Sequence, residues 1–194
     1  AGCLGASDLR DAVKRDVSWF ERAASAAESA ERFVLKVVRP RPEERYVRCV
    51  PLVPLQAAAG GFGSPQFIEE GQWDWVELDI PRRLKPGMFV AQVVGSSMEP
   101  QILNGAYCLF EGPVTGTRQG KVVLVKLRDV ADPETGQRYT VKRYQSEKAT
   151  SEDGTWRHVK ITLKPNNPVF EPIVLTSEDE ASVTVVAELI QVLG

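Results

Sequence analysis

From residue 46 onward, short runs of Val, Ile, Leu and aromatic residues follow one another along the chain. Gly, Pro, Asn and Asp separate these runs at short intervals, and these residue types favour turns. Many short runs at such spacing predict a mostly β fold, either a sandwich or a barrel. The predicted strands are Met88–Val94, Tyr107–Phe110, Lys121–Leu127, Arg138–Tyr144, His158–Leu163, Pro172–Leu175 and Ser182–Val192. The turn residues Asp132–Gly136 predict a hairpin between Lys121–Val130 and Arg138–Tyr144.

The first part of the chain has a different pattern. Between residues 7 and 32 apolar residues recur at steps of three and four, which predicts a long amphipathic helix that Ser7 can cap. The run Phe33–Val38 predicts a strand. We therefore expect a helical N-terminal segment with a linker strand over residues 1–49 and a β domain over residues 50–194.

Composition excludes several classes of protein. The chain has 24 Lys and Arg against 26 Asp and Glu, and 43% of its residues are hydrophobic, which is ordinary for a globular protein. No apolar run approaches the roughly 18–20 residues of a membrane span, and no signal peptide is visible, so we expect a cytoplasmic protein without a membrane partner. The cysteines Cys3, Cys49 and Cys108 lack metal-ligand spacing, and phosphate-binding glycine loops are absent, so we expect no metal and no cofactor.

The chemistry available to this chain is limited by its single histidine. His158 lies in a predicted exposed strand or turn, which disfavours a catalytic site in which a histidine base activates a serine or a cysteine. A serine candidate stands in Gly95–Pro100, where a strand meets a turn and backbone N–H groups can converge on one oxygen. A lysine can activate a serine only when it is neutral, and apolar surroundings favour that form. Lys126 and Lys142 both lie in apolar strands, and these considerations do not choose between them.

One segment has a composition unusual for a globular domain. Gln56–Ser64 consists almost entirely of small residues. Such a segment can be a linker, which its composition alone favours, or a flexible stretch that threads into a narrow cleft.

Four motifs in consistent order resemble the LexA-type self-cleaving peptidases, the family of LexA, UmuD and the phage repressors. The four motifs are the apolar residues before Ala59-Gly60, the box Gly95-Ser96-Ser97-Met98, the runs Gln119–Val123 and Thr140–Arg143, and the stretch Pro165–Ile173.

The resemblance implies a signal-peptidase-like β fold with a Ser–Lys dyad. It selects Ser97 as nucleophile, Lys142 as general base and Ala59-Gly60 as the cleavage site, within a cleavage loop at residues 55–64. The backbone N–H groups of Ser97 and Met98 would form the oxyanion hole. The resemblance also implies a homodimer through the C-terminal strand and a response to a RecA filament on single-stranded DNA.

The sequence departs from the family pattern at three places. The family's Gly-Asp after the nucleophile is Gly105-Ala106 here, so an acidic group near the dyad is expected to be missing. Ser97 and Lys142 are 45 residues apart, a longer separation than usual, which a longer hairpin at Asp132–Gly136 explains. Residues 1–49 do not resemble the family's helix-turn-helix domain, because one long helix cannot form that module. The chain is therefore more similar to the accessory-protein branch of the family or to the versions at the C-terminal end of larger bacterial helicase-type proteins, so a helicase-type domain or a DNA-binding partner is expected.

The sequence thus predicts self-cleavage in bacterial DNA-damage, phage or mobile-element regulation. Two alternatives remain open. One is a catalytically weak dimerisation or interaction module of a larger nucleic-acid-processing protein, and the other is a protease that acts on other chains.

Overall fold

The computed structural model describes residues 35–61, 73–150, 156–176 and 182–193. The predicted helix over residues 7–32 lies outside the described residues. The described elements are β1 (Lys36–Val38), a 3-10 turn (Pro42–Glu44), β2 (Cys49–Leu52), α1 (Leu55–Gly61), β3 (Asp74–Glu77), β4 (Met88–Gln92), β5 (Tyr107–Glu111), β6 (Val122–Leu127), β7 (Tyr139–Thr150), β8 (Trp156–Lys164), β9 (Ile173–Thr176) and β10 (Val183–Val192).

The mostly β class is confirmed, and the seven strands predicted from residue 88 onward are present. The sequence pattern missed β2 and β3, because neither Cys49–Leu52 nor Asp74–Glu77 shows a clear alternation of apolar and polar residues. β2 also contains Pro51, a residue type that is unusual inside a strand.

The described strands form one open sheet, instead of the two layers of a sandwich or a closed ring. Its strand order is β1-β3-β2-β4-β5-β10-β6-β7-β8-β9. All pairs are antiparallel except β2 with β4, which is parallel. Lys36–Val38 also belong to this sheet, because β1 pairs with β3. Tyr46, in the connection to β2, packs edge-on against Trp75 of β3.

The sheet curves around its main core. Phe89 of β4, Phe110 of β5, Leu124 of β6 and Val141 of β7 are buried in one cluster, although three strands lie between β4 and β7. In β10, the register shifts between Val185 and Ala187 and again between Leu189 and Gln191. Such irregularities bend a strand and increase its twist. They occur in the middle of the sheet, where bending brings β4 and β7 towards each other.

Helix α1 occupies the segment that the sequence predicted to be a loop. Ala58 is fully buried in the main core cluster, and its N–H donates to the Pro54 carbonyl at 2.9 Å. The loop prediction is wrong for residues 55–61, because alanine favours a helix and the small residues can pack closely on the sheet. Residues 62–64 of the predicted loop lie outside the described residues. No helix in the described part of the chain is long and apolar enough to cross a membrane.

The C-terminal strand β10 lies inside the sheet, between β5 and β6. Residues 183–188 pair with β6 and residues 188–192 pair with β5, and Glu188 is the one paired residue common to both sets. Dimerisation through this strand stays a prediction.

The stacked pair Phe89 and Phe110 provides a test of the core. Their ring centroids are 5.5 Å apart and both side chains are fully buried. Replacing Phe110 with Ala should lower the free energy of unfolding by about 3–5 kcal/mol, because the main cluster would lose a large side chain and keep a cavity. Urea denaturation measures this loss. Val169→Ala, at a side chain that is 82% exposed, is the control and should change the stability by less than about 0.5 kcal/mol.

Candidate active site

Ser97 lies in a tight turn that follows β4. Gly95 has a φ of 111°, a conformation that side chains rarely adopt, and its N–H donates to the Asn104 side chain at 3.0 Å. Met98 is almost completely buried in the main core cluster, and its carbonyl accepts from Ile102 N at 3.0 Å. The turn is therefore fixed on both sides of Ser97.

The stretch between β8 and β9 supports this turn from outside. The backbone N–H groups of Asn166 and Asn167 both donate to the Ser97 carbonyl, at 2.9 and 3.0 Å. The Asn167 side chain donates to the Ser96 carbonyl at 3.2 Å. These bonds explain why an asparagine pair far along the sequence belongs with the serine motif.

Lys142 meets Ser97 in the interior. Its Nζ lies 2.7 Å from Ser97 Oγ, and the two residues are only 3% and 5% exposed. Lys126, the other lysine that the sequence offered, is exposed on β6. The fold thus brings Lys142 and not Lys126 to the serine.

Two further side chains complete the surroundings of the lysine. Lys142 Nζ lies 2.9 Å from Asp132 Oδ2 and 2.8 Å from Thr140 Oγ1. Thr140 and Lys142 are two residues apart on β7, so they point to the same face of the sheet. Lys142 Nζ thus has three oxygen neighbours, which are Ser97 Oγ, Asp132 Oδ2 and Thr140 Oγ1. Three oxygens match the three N–H donors of an ammonium group.

Asp132 is a buried carboxylate. Burial by itself would raise the pKa of Asp132, but hydrogen bonds from Thr140 and Lys142, the charge of Lys142 and the backbone of Thr135 together lower the pKa below its usual value. At neutral pH the site therefore contains an ionised Asp132 against the amine of Lys142.

The same aspartate organises the predicted hairpin, which the pairing of β6 with β7 confirms. Asp132 Oδ1 accepts from the backbone N–H groups of Glu134 and Thr135, at 2.9 and 3.1 Å. Gly136, with a φ of 67°, donates its N–H to the Asp132 carbonyl at 2.8 Å and closes the turn. One side chain thus shapes the hairpin and contacts the lysine.

A second carboxylate from this hairpin reaches the serine turn. Glu134 Oε1 accepts a short hydrogen bond from Ser96 N, and Glu134 Oε2 accepts one from Ser97 N at 3.2 Å. Of the two N–H groups predicted for the oxyanion hole, Ser97 and Met98, the first is therefore occupied by Glu134.

Ser97 and Lys142 line a cavity of about 660 Å³. Leu55 and Gln56, at the start of α1, line this cavity together with Ser97 and Lys142. The predicted cleavage residues do not: Ala59 is buried and Gly60 exposed, and both lie further along the helix. This structure therefore does not bring the predicted scissile bond to the dyad.

Other nucleophile or base candidates have different surroundings. Burial raises the pKa of Cys108 to about 12, so its thiol is not a nucleophile at neutral pH. Burial, followed by the charges of Glu77 and Glu44, also raises the pKa of Cys49. Both thiols are free, and Cys3 lies outside the described residues. The single histidine, His158, is part of strand β8.

Sequence reasoning missed Asp132, Glu134 and Thr140. It expected an acidic group to be missing because residue 106 is Ala, and Ala106 is indeed buried in the apolar core. Asp132 nevertheless supplies a carboxylate to Lys142 from another direction. One signal in the sequence could have found the two carboxylates. Asp132 and Glu134 lie in the turn that leads into β7, the strand of Lys142, but the sequence analysis treated them only as turn residues.

The Asp132–Lys142 pair predicts a pH-dependent stability. Replacing Asp132 with Asn leaves a buried lysine without its partner charge, which should cost about 3 kcal/mol at neutral pH. Folding lowers the pKa of Asp132. The stabilisation is therefore fully present above about pH 4, the pKa of an unfolded aspartate, and it is lost as the pH falls through the lower pKa that Asp132 has in the folded chain. Urea denaturation of both proteins from pH 7 to pH 3 should show the difference closing in acid.

The control for this experiment is Asp74→Asn, at an exposed carboxylate of β3. It should leave the stability nearly unchanged at every pH. A difference between wild type and Asp132→Asn that stays constant down to pH 3 would contradict the buried ion pair.

Comparison with known proteins identifies the family of the chain. No curated protein matches the sequence. The family model described as Peptidase S24-like matches residues 51–190, which is most of the chain and includes every residue of the site. The chain therefore belongs to the S24-like family of serine peptidases, the family of LexA and UmuD.

Proposed function

We propose that this protein is a self-cleaving serine peptidase in which Ser97 is the nucleophile, Lys142 the general base and Ala59-Gly60 the bond that is cut. The hydrogen bond of 2.7 Å between two buried side chains, Lys142 Nζ and Ser97 Oγ, carries the proposal. A base within hydrogen-bonding distance of a serine is the arrangement that nucleophilic catalysis requires.

The reaction starts from neutral Lys142, whose Nζ takes the proton of Ser97 Oγ as the oxygen attacks the Ala59 carbonyl carbon. The carbonyl oxygen becomes an oxyanion, which the backbone N–H groups of Ser97 and Met98 stabilise. The C–N bond then breaks, and the Gly60 amine leaves with the proton from Lys142. Water hydrolyses the resulting ester, giving a carboxylate at Ala59 and restoring Ser97.

The scissile bond must first leave α1. A helical backbone does not expose its carbonyl carbon to a nucleophile. Ala59 is also buried, with only 6% of its surface exposed. Helix α1 has only seven residues and ends in two glycines, so tertiary packing supplies most of its stability. Once it unwinds, Leu55 and Gln56 already lie at the cavity and the tethered bond has a high effective concentration at Ser97.

The biological setting belongs to the same proposal. Self-cleavage fits a regulator of bacterial DNA-damage, phage or mobile-element functions in the cytoplasm, in which a RecA filament on single-stranded DNA favours the unwound state. A helicase-type segment of the same polypeptide and a second copy of the chain are the other proposed partners. The alternative, a catalytically weak interaction module, is favoured by one observation, namely that Glu134 occupies the N–H of Ser97.

Cleavage of the purified protein tests the dyad. Incubation from neutral to alkaline pH should give a fragment that begins at Gly60, and the rate should rise with pH because Lys142 must lose a proton before it acts as a base. Ser97→Ala and Lys142→Ala should each abolish the fragment, as read by intact mass.

Ser96→Ala and Lys126→Ala are the matched controls, one beside the nucleophile and one on the neighbouring strand, and both should cleave. A wild-type protein that remains intact for a day at alkaline pH would favour the interaction module. Efficient cleavage of added Ser97→Ala protein by small amounts of wild type would show a protease that acts on other chains.

The stability of α1 should set the rate. A Cβ at Gly60 would meet no atom within 4 Å, so Gly60→Ala should stabilise the helix by about 0.5–1 kcal/mol and slow self-cleavage by about two- to fivefold. Ala57→Gly, which changes the helix without changing either residue of the scissile bond, should accelerate cleavage. Equal rates in all three proteins would mean that unwinding does not limit the reaction.

A further inference from the structure

The turn Asp132–Gly136 of the β6–β7 hairpin carries two carboxylates, of which Asp132 faces the lysine and Glu134 faces the serine turn. Both oxygens of Glu134 accept backbone hydrogen bonds, from Ser96 N and from Ser97 N. A Cβ placed at Gly95 would lie 2.9 Å from Glu134 Oε2, so a side chain at position 95 would displace this carboxylate from its present place. Glu134 therefore fits closely against the backbone just before the nucleophile.

The position of this carboxylate conflicts with catalysis. An oxyanion hole works when N–H donors lie about 2.7–3.1 Å from the oxygen that becomes negative. Ser97 N already donates to Glu134 Oε2 at 3.2 Å, so a substrate oxygen cannot use this donor while Glu134 is in place. The negative charge of Glu134 would also repel an oxyanion that formed beside it.

The hairpin holds Glu134 at this place through buried contacts. Asp132 binds Lys142 Nζ with one oxygen and the Glu134 and Thr135 N–H groups with the other. The backbone of Glu134 is thus fixed to the dyad itself, and only its side chain has to rotate for the serine turn to be exposed.

We propose that Glu134 is an internal inhibitor: its carboxylate occupies the backbone N–H groups of Ser96 and Ser97 in the resting protein and must leave before the N–H of Ser97, together with that of Met98, can bind the oxyanion of a scissile carbonyl. The N–H groups of Ser96 and Ser97 then form a binding site for a carboxylate from solution when Glu134 is removed. This inference rests on the proposed peptidase function, because inhibition has meaning only if Ser97 acts as a nucleophile.

Glu134→Gln tests the inhibition, because it keeps the shape of the side chain and removes its charge. Losing a charge-assisted hydrogen bond at this place should raise the self-cleavage rate about tenfold. The matched control is Glu171→Gln, at an exposed carboxylate outside the cavity, which should cleave at the wild-type rate. If the wild type cleaves itself and the Glu134→Gln protein cleaves no faster, the inference is overturned and the proposed function stays intact.

Amide NMR reports the contact without requiring activity. In the Ser97→Ala background, where no cleavage occurs, the N–H signals of residues 96 and 97 should lie downfield and should move upfield when Glu134 is replaced by Ala. Signals that do not move overturn the inference. If they move but neither wild type nor Glu134→Gln ever cleaves, the proposed function fails and the inhibitory role is overturned with it.

Chemical rescue separates inhibition from a structural role. Formate added to Glu134→Ala protein should bind the vacated N–H groups, slow its cleavage severalfold and return the amide signals downfield, with no effect on wild type. An accelerated Glu134→Ala protein that does not respond to formate in rate or in spectrum would show that Glu134 acts by holding the hairpin, and would overturn the carboxylate site.

Discussion

The contact between Lys142 Nζ and its three oxygen partners is the interaction on which the site depends. Four strand spacings separate β4 from β7, a distance of about 19 Å in a flat sheet. Lys142 nevertheless reaches Ser97 Oγ, because the sheet curves around the main core and the turn after β4 extends across it. Asp132 and Thr140 satisfy the remaining donors, so a buried amine is accommodated in an otherwise apolar region.

The contacts around Ser97 and Lys142 are those of a resting state and not of a catalytic one. Glu134 lies on the serine turn, and the predicted scissile bond is held in α1. Both features oppose the proposed self-cleavage, as expected if the protein cuts its own chain only under a specific condition.

Most of the fold was predictable from local pattern. The strands from β4 onward are long enough for turn residues and β-branched runs to define them, and the hairpin at Asp132–Gly136 follows from its turn chemistry. Helix α1 was not predictable in the same way. The segment Gln56–Ser64 has too few large side chains to show a periodicity, and its helix forms because Ala58 packs into the core.

The sequence by itself determined the β class and the family resemblance, and through that resemblance it predicted Ser97 and Lys142, because these inferences depend on residue types at short range and on the order of motifs. Only the tertiary structure decided how the site is completed. Asp132 and Glu134 appear in the sequence as turn residues, and their contacts with Lys142 and with the serine turn depend on the curvature of the whole sheet. Contacts between residues far apart in the chain arise from packing, which no local pattern encodes.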